Sequence, residues 1–483
     1  IDFILFFILI IAGIIILKNR KFKHLFLLVG SYFFFYYSSN YLIILLIFST
    51  ILDFYIGSEI WKTKDQTRKK ILLSISIAGN LGLLGFFKYV DFGIEQINNL
   101  TTYLNMGQIP LLNLALPIGI SFYTFQTISY TVDIYRGKLS PSKSLREFAL
   151  FVSFFPQLVA GPIVRASEFL PQLREKISEF DSGAKLRQII IKNSNLKIGI
   201  TIMVIGLFKK MFFADSIAPF VNDVFIDPVG RESFTIILGA IGFGIQIYGD
   251  FSGYSDIAIG AALILGFNLP KNFNYPYFAI SPTDFWKRWH ISLSTWLRDY
   301  LYVPMGGNRK SEGRTYINLL TVMLLGGLWH GASWNFVMWG VLHGGYLTIH
   351  KILSDKFPIL TNNKFLSKKI VIIISIFITQ YLVFLTWIPF RVRDVDNMLY
   401  SMQKYIFLDF QTSNTIEFIS GHQFSFAIIC LFIIVHIISY KKQNVIEIIS
   451  KMSLLKWFAF LTIIISLILF TSGDAADFIY FQF

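Results

Sequence analysis

The chain has 483 residues, 54% of them hydrophobic, including 51 Phe and 23 Tyr, and a mean hydropathy of +0.59. A water-soluble protein of this size cannot bury that much apolar surface in its cores. The formal charge of +14 invites a nucleic-acid reading, but the basic residues gather in alternate loops, a pattern that belongs to membrane topology and excludes that partner.

Apolar runs recur along the whole length. The first, Ile1–Leu17, lacks a basic n-region and a small-residue cleavage site, so it reads as a helix and not as a signal peptide. The chain opens without Met, which points to a few residues upstream. His24–Tyr37, Tyr41–Ile56, Ile71–Phe87, Leu116–Ile134, Phe148–Ile163 and Ile198–Phe213 follow. Then come Phe234–Tyr248, Ile257–Leu269, Tyr316–Leu328, Asn335–Ile349, Ile370–Ile388, Phe424–Ile438 and Leu454–Phe470. Several are too short to span alone. The expected fold is an all-α polytopic membrane protein, residues 1–483 forming a single domain, with roughly 11 transmembrane helices plus re-entrant and interfacial helices.

Lys18, Arg20, Lys21 and Lys23 lie in one loop. Lys62, Lys64, Arg68, Lys69 and Lys70 lie in the next on that side, and Arg136, Lys138, Lys143 and Arg146 follow. Asp91–Ala115, on the opposite side, has neither Lys nor Arg. The positive-inside rule then puts these basic loops in the cytoplasm and the N-terminus outside. One cysteine, Cys430, sits in an apolar run and reads as a helix-packing residue. No disulfide framework or thiolate metal cluster can form within the chain.

Two polar intervals look structured. Arg165–Lys197 carries Phe169, Leu173, Ile177 and Phe180 at three- and four-residue spacing, which predicts a helix lying on the inner surface. In Asn268–Thr315, Ser281, Pro282 and Asp284 form a helix start, with Ser at the cap, Pro in the first turn and a carboxylate at the third position. From there Trp286, Trp289, Leu293, Trp296, Leu297 and Tyr300 share one face of a predicted amphipathic helix, and Asp284, Arg288, Ser292, Thr295 and Asp299 the other. His290 flanks the aromatic face. Pro304–Asn308 ends the element in a turn.

The candidate chemistry lies nearby. His330 follows an apolar run and stands among Gly326, Gly327, Trp329 and Gly331. An ionisable residue at membrane depth is a functional hypothesis by default, and an imidazole can take a proton from an attacking hydroxyl. The alternative is a helix-packing histidine. His290 and His343 read more simply as structural or packing residues, with Gly340 and Gly344 marking a close helix contact. Asp250, Tyr254 and Asp256 lie between two apolar runs, as a polar cavity wall or as a helix-capping turn. Arg288 and Arg298, with Trp296 on the same element, either meet the phosphates of a nucleotide-bearing donor or are plain topology charges. No metal-ligand spacing, phosphate loop or Gly-x-Ser-x-Gly elbow occurs, so acid–base chemistry without a metal is expected.

The run Asp284–Tyr302, DFWKRWHISLSTWLRDYLY, resembles the signature of the membrane-bound O-acyltransferases, as does Gly326–Gly331, GGLWHG. Leu116–Phe122, Phe154–Ile163, Tyr302–Arg309 and Phe478–Phe483 extend the resemblance over essentially the full length, closest to the branch that acetylates alginate and peptidoglycan. The resemblance implies a helical funnel with His330 as catalytic residue at its narrow point and His290 as a second functional position. Trp329 and His343 fall beside that passage. It further implies acetyl-CoA as cytoplasmic donor and a bacterial inner-membrane location. The acceptor would be an extracytoplasmic polysaccharide (alginate-like, cellulose, another exopolysaccharide or peptidoglycan), reached directly or through a partner acetyltransferase. D-alanyl transfer to teichoic acid from a carrier protein is the near alternative. A polysaccharide exporter is the non-enzymatic one, although the paired interrupted helices frequent in transporters are not visible.

Overall fold

The computed structural model describes residues 2–17, 20–158, 161–181, 193–357, 359, 366, 368–471 and 478–479. Every regular element among them is helical, as it must be where hydrocarbon offers the backbone no hydrogen-bond partner. Among the described residues, six stretches are long and apolar enough to cross a membrane: Phe22–Lys62, Gln66–Tyr103, Ser233–Ile264, Lys369–Arg391, Gln423–Lys441 and Leu454–Thr471. The first is two helices, Arg20–Ser39 and Ile43–Lys62, broken at Asn40, whose φ of 50° no right-handed helix continues through. This set is smaller than the expected number of crossings. Ile120–Tyr135, for example, has 16 residues, about 24 Å of helix, short of a bilayer core of about 30 Å.

Several sequence expectations need correction. Gln66–Tyr103 runs for 38 residues, so its end occupies half of the interval read as the loop Asp91–Ala115. Phe148–Ile163 is no span: the helix Leu145–Ser153 stops at Phe154 and one turn, Phe155–Leu158, follows. Cys430 is exposed, on a helix whose neighbours Leu431, Ile433 and Ile434 also face outward, as lipid contact requires, and it packs no core. Lys18, Val159, Ala160, Tyr480–Phe483 and the side chains of Arg20, Lys21, Ile177 and Phe180 lie outside the described residues.

The chain forms two compact units. The first comprises Ile1–Ile200 and Ile257–Pro270. Its helices Ile43–Lys62, Gln66–Tyr103 and Ile120–Tyr135 are tied by a buried polar network. Asp53 accepts from Ser76 Oγ (2.6 Å) and Asn80 Nδ2 (2.7 Å), and Ser76 meets Thr131 at 2.9 Å. Interhelical bonds of this kind hold helices together where lipid supplies no hydrophobic drive. On the helix Ala166–Asp181, Phe169 and Leu173 are buried, with Phe169 against Phe151, Phe154 and Phe267.

The second unit comprises Thr201–Asp256 and Lys271–Phe483. The helix Ser233–Ile264 is continuous over 32 residues, so Asp250, Tyr254 and Asp256 stand in mid-helix and the capping turn considered there does not form. Gly253 permits close approach instead: a methyl group on it would lie 2.7 Å from the Gly206 carbonyl. Glu312–His330 and Trp334–Lys356 form a helical hairpin. At their crossing a methyl on Gly340 would sit 2.6 Å from the Met323 carbonyl, and one on Gly344 would sit 3.1 Å from Leu320 Cα. Both glycines therefore mark the close contact read from sequence.

Candidate active site

The segment from Ser281 begins as its sequence dictates. Ser281 Oγ accepts from the Asp284 N–H at 3.1 Å and Asp284 accepts from the Ile280 N–H at 3.2 Å, so two otherwise orphan donors are satisfied. The helix then lasts only from Pro282 to Trp286. The single amphipathic helix expected here is broken at His290, which adopts φ 43° and ψ 54° before a second helix, Ile291–Leu297, and a wide turn, Arg298–Tyr302. Asn272 holds the break. Its carbonyl accepts from the Ile291 N–H at 2.9 Å. Its side-chain oxygen accepts from Ser292 Oγ at 2.9 Å, and its amide donates to Ser255 at 3.1 Å. A left-handed residue other than glycine costs about 1–2 kcal/mol and persists only where its surroundings impose it.

This backbone turns His290 wholly inward. Its ring lies edge-on to Phe251 at 4.7 Å and 5.9 Å from Trp329. Trp329 in turn lies 4.9 Å from His330, the last residue of Glu312–His330. Trp339 lies 4.9 Å from His330 and 4.6 Å from His343. Imidazoles and indoles thus alternate in the order His290, Trp329, His330, Trp339, His343. Phe390 closes on the His330 ring at 5.1 Å. His343 shares a hydrogen bond of 3.0 Å with Thr386 Oγ1, which fixes its ring. The cage is built of aromatic rings packed against the three imidazoles.

A cavity of about 580 Å³ opens beside this ladder. Its interior is apolar, with Trp286, Leu297, Leu319, Val322 and Met323, while Lys287, Arg298 and Lys351 supply cationic groups. Trp286 forms part of its wall and also lies 5.7 Å from Trp339 and 5.1 Å from His343. Met323 is seven residues before His330, about 10 Å along the helix.

The other candidate residues fall elsewhere. Arg288 is outside the cavity lining, its Nε shared by both Asp284 oxygens at 2.9 Å. Trp296 is buried against Tyr300 at 5.1 Å. Arg298 lines the cavity and pairs with Asp299 at 2.7 Å. Asp256 pairs with Lys209 at 2.6 Å, and Asp250 with Lys210 at 3.1 Å. Tyr254 lies against Phe478 at 4.4 Å. Lys209 and Lys210 lie inside the apolar run Ile198–Phe213, and two ammonium groups there demand carboxylate partners, a signal the sequence carries in their position alone. Lys287 and Lys351 carry no such signal, being ordinary surface charges until the cavity gathers them.

A polytopic helical protein that seats imidazoles in an aromatic cage, beside a cavity with an apolar interior and cationic groups, has the parts that acyl transfer within a membrane calls for. The chain belongs to the membrane-bound O-acyltransferase (MBOAT) family, whose model matches residues 45–388, and it is an acyltransferase. It is 38% identical over 354 residues to the probable alginate O-acetylase AlgI of Azotobacter vinelandii, covering 73% of this chain and 68% of that protein. It is 35% identical over 409 residues to the peptidoglycan O-acetyltransferase of Helicobacter pylori, covering 79% and 73%. The teichoic acid D-alanyltransferase of Bacillus subtilis is more distant, 29% identical over 266 residues, 52% of this chain and 64% of that protein.

Proposed function

We propose that this acyltransferase takes an acetyl group from acetyl-CoA on the cytoplasmic side of a bacterial inner membrane, its N-terminus outside. The acetyl passes to a hydroxyl beyond the membrane, on alginate-like polysaccharide, cellulose, another exopolysaccharide or peptidoglycan, directly or through a partner acetyltransferase. The observation that carries this reading is the cavity: apolar groups suit the thioester arm, and Lys287, Arg298 and Lys351 suit the donor's phosphates. Its Trp286 wall is separated from His330 by the single indole of Trp339.

In the reaction, an imidazole nitrogen of His330 accepts the proton of the acceptor hydroxyl as its oxygen attacks the thioester carbonyl. The carbon–sulfur bond then breaks, the CoA sulfur leaves and receives that proton, and an ester remains. His290 positions or polarises the reacting groups. Arg288 is the weaker phosphate ligand because it lies outside the cavity lining that holds Lys287, Arg298 and Lys351. Trp296 is assigned to shaping the donor side. The two relatives named as acetyltransferases favour acetyl over D-alanyl transfer because they cover far more of the chain. Membranes holding the full chain and labelled acetyl-CoA should give a labelled polysaccharide ester, which His330→Ala abolishes while the protein remains folded. Transfer from a charged carrier protein instead, or undiminished transfer by the variant, refutes the proposal. Efflux of polysaccharide with no acylated product would favour an exporter.

A further inference from the structure

We infer that Asp250 is a clamp that holds the segment Phe478–Ile479 against the wall of the His290 site, and thereby a positioning residue for transfer. The catalytic half of this inference rests on the acetyl-transfer reading; the clamp itself does not.

Lys210 is flanked by two carboxylates, Asp215 at 2.6 Å and Asp250 at 3.1 Å. One ammonium group balances one of them, and Asp215 lies nearer. The second carboxylate is therefore surplus to a simple ion pair, and a buried surplus charge needs further donors. The other oxygen of Asp250 receives one from far along the chain, the Ile479 N–H at 2.8 Å. Phe478 and Ile479 are both buried. Fixed by that bond, the Phe478 ring lies 4.4 Å from Tyr254 and 6.1 Å from Phe251. Phe251 is the ring that meets His290 edge-on at 4.7 Å. The contacts run from carboxylate to tail to Phe251 to imidazole, so loosening the tail removes packing behind His290 without touching the imidazole itself.

The pairing with Asp215 makes the test clean. Asp250→Ala removes the acceptor for Ile479 yet leaves Lys210 its nearer partner, so no ammonium group is orphaned. Asp250→Asn keeps an oxygen at the same place. Hydrogen–deuterium exchange on the purified full chain in lipid nanodiscs reads the terminal peptide containing Phe478 and Ile479. Exchange at Ile479 should quicken at least about tenfold in Asp250→Ala, the loss expected of a bond to a charged acceptor, and stay near wild type in Asp250→Asn. In the transfer assay Asp250→Ala should lower kcat by about tenfold or more, since small displacements of positioned groups are costly, with KM for acetyl-CoA unchanged; Asp250→Asn restores kcat. Unchanged exchange in Asp250→Ala overturns the clamp. Faster exchange with wild-type kcat overturns the positioning role. A wild-type chain that uses no acetyl-CoA refutes the donor reading instead, and leaves the exchange result to decide the clamp.

Discussion

Gly340→Ala tests whether the packing of one helix pair sets the reaction geometry. The added methyl would lie 2.6 Å from the Met323 carbonyl oxygen and 2.9 Å from Leu324 Cα. Both are backbone atoms that no rotamer change can move. Reaching ordinary contact requires Trp334–Lys356 to move from Glu312–His330 by roughly 0.8 Å. Overpacking of this kind costs about 1–3 kcal/mol. The shift falls at the site, because Trp339 precedes the substituted residue and its ring packs 4.9 Å from that of His330, on the helix it must move away from. Displacement near 1 Å can cost about 100-fold in rate. The expected result is a lower unfolding temperature in nanodiscs together with acetyl transfer reduced by about ten- to a hundredfold. Gly345→Ala is the control, since nothing lies within 4 Å of its added methyl and the change gains about 1 kcal/mol in helix propensity. If Gly340→Ala melts and transfers like the wild type, or Gly345→Ala is equally damaging, the crossing does not govern the site.

Three further outcomes are expected. Replacing Lys287, Arg298 or Lys351 by Ala should raise KM for acetyl-CoA by about two- to fivefold each with kcat little changed, as suits solvent-screened charges, and added salt should narrow the difference from wild type. His290→Asn should fold better than His290→Ala by about 1 kcal/mol, because Asn tolerates the left-handed conformation that Ala resists. Both should lose transfer if the ring is needed, and an Asn variant at the wild-type rate would make His290 purely architectural. Finally, burial works against the charged form of Glu232, but hydrogen bonds from Thr415, Asn414 and Ser413 outweigh it and hold its pKa below the usual value. Lys404 does the same for Asp409, with help from the N–H groups of Gln411 and Ser233. A lowered folded pKa contributes stability above the unfolded value near pH 4. That contribution should erode as pH falls through this range toward the lowered values, and Glu232→Gln should flatten the melting-temperature profile there.

Much of the fold is legible because membrane helices are written in local terms. Apolar run lengths anticipate Gln423–Lys441 and Leu454–Thr471 closely, and the small residues Gly340 and Gly344 announce their crossing. The start at Ser281 and Pro282 is legible because capping chemistry is completed within four residues. The break at His290 is not. Trp286, Trp289, Leu293 and Trp296 keep helical spacing straight through it, and the residue that imposes the break, Asn272, acts from outside the segment through Ile291 and Ser292. Periodicity records which residues seek burial; it does not record whether one helix or two deliver them.

The charges show the same division more sharply. That Asp250 and Asp256 needed partners follows from the cost of burying a carboxylate, and that Lys209 and Lys210 needed partners follows from the same cost. Their presence in apolar surroundings was therefore readable one residue at a time. Which carboxylate meets which ammonium group is a property of the packed unit. The close approach at Gly253 brings the Lys210 backbone within about 3.1 Å of where a side chain would begin, and that approach sets Asp250 beside Lys210, 3.1 Å away. Asp215 then joins from five residues beyond Lys210 and Ile479 from the far end of the chain. A buried charge in a membrane protein thus identifies itself in the sequence, while its role waits on how closely the helices come together.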